Sequence, residues 1–261
     1  MTKLRVSDMD LYYETFGQGD PMVLIHGLGS SSRDWEGQIG YFSRQYQVIA
    51  VDIRGHGRSD KPAGPYSIPL FTRDMAEMIR ALDLAPVHVV GISLGGMIAL
   101  QLAVDEPELV RSLVVVNSGS EMVVRTIKDR IGVWQRTLIV RLMGMRKMGE
   151  VLGGRLFPEP EQHELRNTFA DRWAENDPKA YLEAMKAIVG WSVTEQLHRI
   201  ACPTLVIAAE HDYTPIEVKS TLAGRIDGAE CVVIENSRHG SPVDQPEAFN
   251  KVLSAFLARN G

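Results

Sequence analysis

Short apolar runs alternate with amphipathic stretches over about the first 120 residues, and again from about residue 204 onward. Apolar spacing of three or four predicts helices at 67–84, with Ser67 as N-cap, and at 244–259. A further helix is predicted after Thr214, which with Glu217 fits a capping box. Strands alternating with helices favour an α/β fold whose mostly parallel sheet is covered on both faces. The predicted strands are residues 11–16, 22–25, 47–51, 87–90, 110–117, 204–209 and 231–234.

The strand pattern stops between about Gly119 and Leu197, where helical periodicity prevails and methionine and tryptophan are concentrated. We therefore predict a helical cap over residues 121–197, inserted into an α/β core formed by residues 1–120 and 198–261. Such a cap is expected over the carboxyl ends of the strands, where open α/β sheets bind ligands. The candidates for lining a substrate pocket there are Trp134, Trp173 and Trp191.

Composition and charge favour an enzyme that acts on small molecules. A chain of 261 residues with 44% hydrophobic content can bury a substantial core. The formal net charge of −5 argues against nucleic acid or an anionic membrane as the main partner. The first residues lack the apolar segment of a signal peptide, so we expect a cytoplasmic protein with Cys202 and Cys231 as buried free thiols. The oligomeric state stays open.

Gly91-Ile92-Ser93-Leu94-Gly95 joins a predicted buried strand to an alanine- and leucine-rich helix. The order of strand, tight glycine turn and helix is what a nucleophile elbow requires. The glycines permit a strained turn that exposes the serine hydroxyl above the sheet. The Leu94 amide, at the start of the helix, is then available to an oxyanion. Ser93 is therefore the candidate nucleophile.

A serine nucleophile needs a base, and the base needs a carboxylate. His239 follows the last predicted strand, and Asp212 follows the strand before it. Because parallel strands end at one edge of a sheet, we expect both to lie near Ser93. Glu210 and an acid within residues 117–121 remain alternatives to Asp212.

The loop after the strand at 22–25 should supply a second oxyanion donor, for which the Leu28 amide is the candidate. Losing one such donor typically costs about 2.7–4 kcal/mol of transition-state stabilisation. His26, His56 and His88 are expected to have structural roles. No His-x-x-x-His or paired-cysteine spacing indicates a metal, and no cofactor is implied.

Taken together, these motifs resemble the α/β-hydrolase fold family over nearly the whole chain. The resemblance implies an eight-stranded, mostly parallel sheet and a Ser93–His239–Asp212 triad, on a scaffold that also hosts lactonases and C–C hydrolases. The matching residues are His26-Gly27-Leu28-Gly29, Asp52-Ile53-Arg54-Gly55-His56-Gly57-Arg58-Ser59, Gly91-Ile92-Ser93-Leu94-Gly95-Gly96, Asp212, and His239 followed by Asp244-Gln245-Pro246-Glu247-Ala248-Phe249.

Within that family, the segments 64–67 and 241–246 resemble bacterial carboxylesterases and 3-oxoadipate enol-lactonases. A serine at the elbow argues against haloalkane dehalogenases and epoxide hydrolases, whose nucleophile is aspartate. C–C hydrolases usually carry tryptophan directly after the catalytic histidine, where Gly240 stands here. Many relatives have glycine where Ala209 or Glu210 stands, so the acid loop departs from the family pattern.

The expected function is therefore hydrolysis of small carboxylic esters through an acyl-enzyme. The alternatives are a lactonase, a C–C hydrolase, and a ligand-binding receptor on the same scaffold. A basic run in the cap is either a solvated helix face or the source of one cation that pairs with a substrate carboxylate. Its members are Arg125, Lys128, Arg130, Arg136, Arg141, Arg146, Lys147 and Arg155.

Overall fold

A sheet of eight strands forms the centre of the computed structural model, which describes residues 2–124 and 126–260, without the side chains of 128 and 129. The strands are β1 (Thr2–Val6), β2 (Met9–Phe16), β3 (Asp20–Ile25), β4 (Tyr46–Asp52), β5 (Val87–Ile92), β6 (Val110–Val116), β7 (Thr204–Ala209) and β8 (Glu230–Ile234). Their order is β1-β2-β4-β3-β5-β6-β7-β8. The β1–β2 and β2–β4 pairs are antiparallel and the others are parallel, which confirms the predicted sheet.

One or more helices follow each strand from β3 onward. They are α1 (Glu36–Phe42), α2 (Ile68–Ala81), α3 (Leu94–Asp105), α4 (Ile127–Leu156), α5 (His163–Ala174), α6 (Pro178–Ile188), α7 (Ile216–Ala223), α8 (Ser241–Asp244) and α9 (Pro246–Asn260). The predicted cap at Ser67 is confirmed, since its hydroxyl oxygen accepts a hydrogen bond from the Leu70 amide at 3.2 Å.

Successive residues of a strand point to opposite faces of the sheet, and both faces are buried under helices. On β5, Val89 packs into the cluster that contains residues of α2 and α3, whereas Val90 packs into the cluster that contains residues of α9. This two-sided burial explains why the central strands are continuously apolar in sequence.

The helical insertion predicted between two strands is confirmed, since α4, α5 and α6 lie between β6 and β7. It has a hydrophobic cluster of its own, which includes Met145, Met148, Trp173, Tyr181 and Met185. A positive φ of 81° at Gly144 interrupts α4, which is a conformation that glycine adopts without strain. The predicted boundaries at 121 and 197 stay a prediction.

Three local details differ from the sequence predictions. The edge strand β1 was not among the predicted strands, because its residues are mostly exposed and polar. The helix after Thr214 begins at Ile216, and Thr214 does not cap it. The Thr214 hydroxyl instead donates a hydrogen bond to Asp212. Cys231 is exposed rather than buried, while both cysteines are free. No helix within 2–124 or 126–260 combines the length and apolarity needed to cross a membrane.

Candidate active site

Ser93 lies at the turn between β5 and α3 in a strained backbone conformation, with φ of 55° and ψ of −116°. The neighbouring glycines make this turn possible. A Cβ on Gly91 would lie 2.2 Å from the Gly95 carbonyl oxygen, and one on Gly95 would lie 2.1 Å from the Ile25 carbonyl oxygen. A strained φ at a non-glycine residue is typical of functional sites. The turn therefore has the form of a nucleophile elbow.

Asp212 and His239 are hydrogen-bonded at the same edge of the sheet. The His239 Nδ1 lies 2.8 Å from the Asp212 Oδ1, and the Asp212 side chain is fully buried. Glu210, the competing acid, is exposed and instead accepts a hydrogen bond from the Asn236 amide at 2.8 Å. Of these two acids, Asp212 is therefore the one that is hydrogen-bonded to His239.

Asp212 also contacts a buried lysine. Lys219 on α7 is fully buried, and its Nζ lies 2.5 Å from the Asp212 Oδ2 and 2.5 Å from the Thr214 carbonyl oxygen. Burial by itself raises the pKa of Asp212, but the hydrogen bond and charge of His239, together with hydrogen bonds from Lys219 and Thr214, outweigh it. The net result lowers that pKa from 3.8 to about 2, so the group is a carboxylate at neutral pH.

The histidine loop is fastened to the sheet through Asn117, at the end of β6. Its amide nitrogen donates to the His239 carbonyl oxygen at 2.9 Å and to the Ser241 hydroxyl at 2.8 Å. Its amide oxygen accepts from the Ala209 amide at 2.8 Å. One side chain thus fixes the end of β7 relative to the loop that carries His239.

The loop after β3 passes beside Ser93, as the oxyanion prediction requires. A Cβ on Gly27 would lie 3.4 Å from the Ser93 Cβ. His26 holds this loop, because its Nδ1 lies 2.7 Å from the Gly27 carbonyl oxygen and its Nε2 accepts from the Ile53 amide at 3.1 Å. The Leu28 amide has no acceptor among the described residues. The Leu94 amide lies in the first turn of α3, where amides lack intrahelical acceptors.

Tyr213 lies against the face of His239 and contacts the nitrogen that a serine nucleophile would use. The Tyr213 hydroxyl is 2.7 Å from the His239 Nε2, and the two ring centroids are 4.2 Å apart. Desolvation of the hydroxyl raises the pKa of Tyr213 well above 10, so the phenol stays protonated at neutral pH. With the His239 proton on Nδ1, the phenol donates to Nε2.

Comparisons with known proteins bear on this arrangement. The family model for the alpha/beta hydrolase fold matches residues 20–246. The chain belongs to the α/β-hydrolase fold family. It is 32% identical to 3-oxoadipate enol-lactonase 2 of Acinetobacter baylyi, over 98% of this chain and 96% of that protein.

Two further proteins are similar to this α/β hydrolase over most of its length. The (E)-2-((N-methylformamido)methylene)succinate hydrolase of Acinetobacter baylyi is 30% identical, over 94% of this chain and 93% of that protein. The crystal structure of the enol-lactonase from Burkholderia xenovorans LB400 superposes with a TM-score of 0.91 at 25% identity, covering 98% of this chain and all of that chain (100%).

The three tryptophans of the hydrolase's helical insertion lie in different surroundings. Trp173 is buried and packs against the loop after β3, where a Cβ on Gly29 would lie 2.6 Å from its ring. Trp134 is 61% exposed on α4. Trp191 packs in the main core, and its Nε1 donates to the Gln101 side chain at 2.8 Å. The pocket-lining role of the three tryptophans therefore stays a prediction.

Sequence reasoning missed three residues around the hydrolase's candidate triad: Asn117, Tyr213 and Lys219. Asn117 directly follows β6, and Tyr213 lies in the loop after β7. Their positions after strand ends were a usable signal. Lys219 gave none, because a lysine on a helix is ordinarily exposed. Within the part of the chain that the structure describes, no cluster of three or more His, Cys, Asp or Glu could hold a metal ion.

Proposed function

We propose that this α/β hydrolase cleaves small carboxylic esters through an acyl-enzyme formed on Ser93. The observation that carries the proposal is the strained Ser93 turn, at the sheet edge where Asp212 and His239 are hydrogen-bonded at 2.8 Å. A hydroxyl held on a rigid turn near an oriented imidazole is suited to nucleophilic attack on a carbonyl carbon.

The proposed reaction has two halves. In the first, Ser93 Oγ bonds to the carbonyl carbon while His239 takes its proton, and His239 then protonates the departing alcohol oxygen as the ester C–O bond breaks. In the second, His239 deprotonates a water molecule that attacks the acyl carbon, and the proton returns to Ser93 as the acid is released. Asp212, a carboxylate that is hydrogen-bonded to both His239 and Lys219, stabilises the imidazolium in both halves.

The oxyanion of each tetrahedral intermediate is assigned to the amides of Leu94 and Leu28. Both belong to backbone that is fixed before substrate arrives, one at the start of α3 and one in the loop held by His26. Donors that need no reorganisation are the most effective at stabilising developing charge. Removing one typically lowers kcat by about 10²–10³.

Direct proton transfer requires that Tyr213 leave the His239 Nε2. Tyr213 as a whole is 62% exposed although its hydroxyl is desolvated, so the ring can rotate outward with little loss of packing. We therefore propose that substrate binding displaces the Tyr213 hydroxyl from the His239 Nε2.

Turnover of short-chain aryl esters tests the proposal. Ser93→Ala should lower kcat/KM by roughly 10⁴-fold or more, whereas Ser220→Ala, at an exposed serine on α7, should leave it unchanged. Asp212→Asn should cost about 10⁴ in kcat, the size known for triad acids, and Glu210→Gln should cost little. Binding without product release would instead identify a receptor. Equal activity of Ser93→Ala would refute the mechanism.

A lactonase is the second candidate, because the 32%-identical relative and the superposed crystal structure are both named enol-lactonases. The same Ser93 chemistry opens a lactone, and the leaving alcohol then stays attached to the acyl group. Comparing kcat/KM for a δ-lactone with that for the open-chain ester of the same acyl length separates the two. A higher value for the lactone would make lactone opening the main activity.

A further inference from the structure

Arg136 on α4 points into the insertion rather than to solvent. It is half-buried, and its Nε donates a hydrogen bond to the Tyr181 hydroxyl. Its guanidinium carbon is 5.5 Å from the centre of the Tyr181 ring and 6.0 Å from that of Trp173. Both rings are almost fully buried, with exposures of 1% and 3%. The cation is therefore held against an aromatic wall.

That wall adjoins the candidate active site. Trp173 packs against Gly29, the residue after the proposed oxyanion donor Leu28. The positive charge of Arg136 also acts on Tyr213, opposing the rise in its pKa, and the Tyr213 hydroxyl is 2.7 Å from His239. Arg136 is thus linked to the candidate triad through Trp173 and Tyr213.

Arg136 differs from the other cations of the basic run. Arg146 pairs with Asp171, and Lys147 pairs with Glu150 at 2.9 Å. Arg130, Arg141 and Arg155 are exposed, whereas Arg125 and the side chain of Lys128 lie outside the described residues.

No described carboxylate pairs with Arg136, whose only hydrogen bond to a described residue uses Nε. Both terminal nitrogens of its guanidinium are therefore available to a ligand.

A second unused donor lies in the same aromatic cluster. The Trp173 Nε1 is buried and has no hydrogen-bond partner among the described groups. Buried indole N–H groups usually find an acceptor, so this N–H can donate to a polar ligand that reaches the cluster.

We infer that Arg136 binds a carboxylate on the substrate, at the end remote from the bond that Ser93 attacks. The inference rests on the proposed function and narrows it to monoesters or lactones of dicarboxylic acids. Arginine suits this task because its planar fork donates two parallel hydrogen bonds to one carboxylate. The aromatic wall would lie alongside the methylene chain between the two ends.

The kinetic test compares the mono-4-nitrophenyl ester of glutaric acid with the same molecule methylated at its free carboxylate. The natural protein should prefer the anionic ester by about 10- to 100-fold in kcat/KM, the range that charge-assisted hydrogen bonds give. Arg136→Gln should abolish the preference while keeping activity on the neutral ester within about threefold. Arg136→Lys, which keeps the charge but not the fork, should restore part of it. Arg130→Gln, at an exposed arginine of the same helix, should change neither rate.

Binding separates this inference from the reaction itself. Glutarate should bind the Ser93→Ala protein in calorimetry, and adding Arg136→Gln should weaken that binding by about 10-fold or more. Arg136-dependent binding in a protein with no esterase activity would support the carboxylate site and refute only the proposed function. Equal glutarate affinity with and without Arg136, or no anionic preference in an active enzyme, would overturn the carboxylate site. If Arg136→Gln does not fold, the anionic preference of Arg136→Lys is measured instead. A reduced preference would support the carboxylate site, and an unchanged preference would overturn it.

Discussion

Replacing Lys219 by methionine isolates the buried charge pair behind His239. Methionine has nearly the length of lysine without the ammonium, so the change leaves Asp212 ionised and fully buried with one partner fewer. Thr214 and His239 remain as its hydrogen-bonding neighbours. The replacement thus removes charge with little change in volume.

The cost follows from the burial of both partners. Lys219 and Asp212 side chains are each 0% exposed and 2.5 Å apart, so solvent does not screen either charge. Removing one member of such a pair typically destabilises a protein by about 3–5 kcal/mol. With a urea m-value of about 3 kcal/mol/M, this lowers the unfolding midpoint by about 1–1.7 M. The penalty should shrink at low pH, because Asp212 then takes up a proton.

Urea unfolding of a double-mutant cycle measures the effect at pH 7. Lys219→Met and Asp212→Asn should each be strongly destabilising, and the double variant should be less destabilised than the sum of the two. Lys251→Met, at an exposed lysine on α9, is the matched control and should shift the midpoint little. Additive effects, or a Lys219→Met penalty below about 1 kcal/mol, would refute the claim that the buried Lys219–Asp212 pair stabilises the fold.

Three further predictions concern other residues. Tyr213→Phe should speed phosphonate labelling of Ser93 by about 2- to 10-fold, the worth of one hydrogen bond, and slower labelling would show that the phenol relays the proton instead. Burial lowers the pKa of His88 from 6.5 to about 4. Between these two pH values the histidine is protonated in the unfolded chain but not in the folded chain. Stability should therefore fall between pH 6.5 and 4 by up to about 3 kcal/mol from this residue, and an equal slope in His88→Asn would contradict that. Gly95→Ala should destabilise by about 1–3 kcal/mol or more in urea, because its Cβ would lie 2.1 Å from a backbone oxygen, whereas Gly154→Ala, with open space around it, should not.

The sheet and the elbow were predictable because their signals are local. A buried parallel strand is apolar throughout, and a strand that turns sharply into a helix needs glycine at Gly91 and Gly95. Because parallel strands end at one edge of the sheet, the loops that carry Asp212 and His239 could be expected to meet, but chain order left Glu210 open as the acid. The exposed strand β1 was not predicted, because it lies at the edge of the sheet and buries little apolar surface.

Side-chain surroundings that depend on tertiary packing were not predictable. Tryptophans at Trp134 and Trp173 look alike in sequence, yet one is exposed and the other packs on the loop after β3. The burial of Lys219 arises only because α7 packs beside the end of β7. Likewise, the basic run offered eight equivalent cations, and only the fold distinguishes Arg136 by its aromatic wall.

Labelling with a fluorophosphonate tests the central claim most directly. The protein should gain the mass of one phosphonyl group, and peptide mapping should locate it on Ser93. The folded Ser93→Ala variant should remain unlabelled, and Ser220→Ala should label at the natural rate. A label on any other residue, or an unlabelled natural protein, would contradict the account.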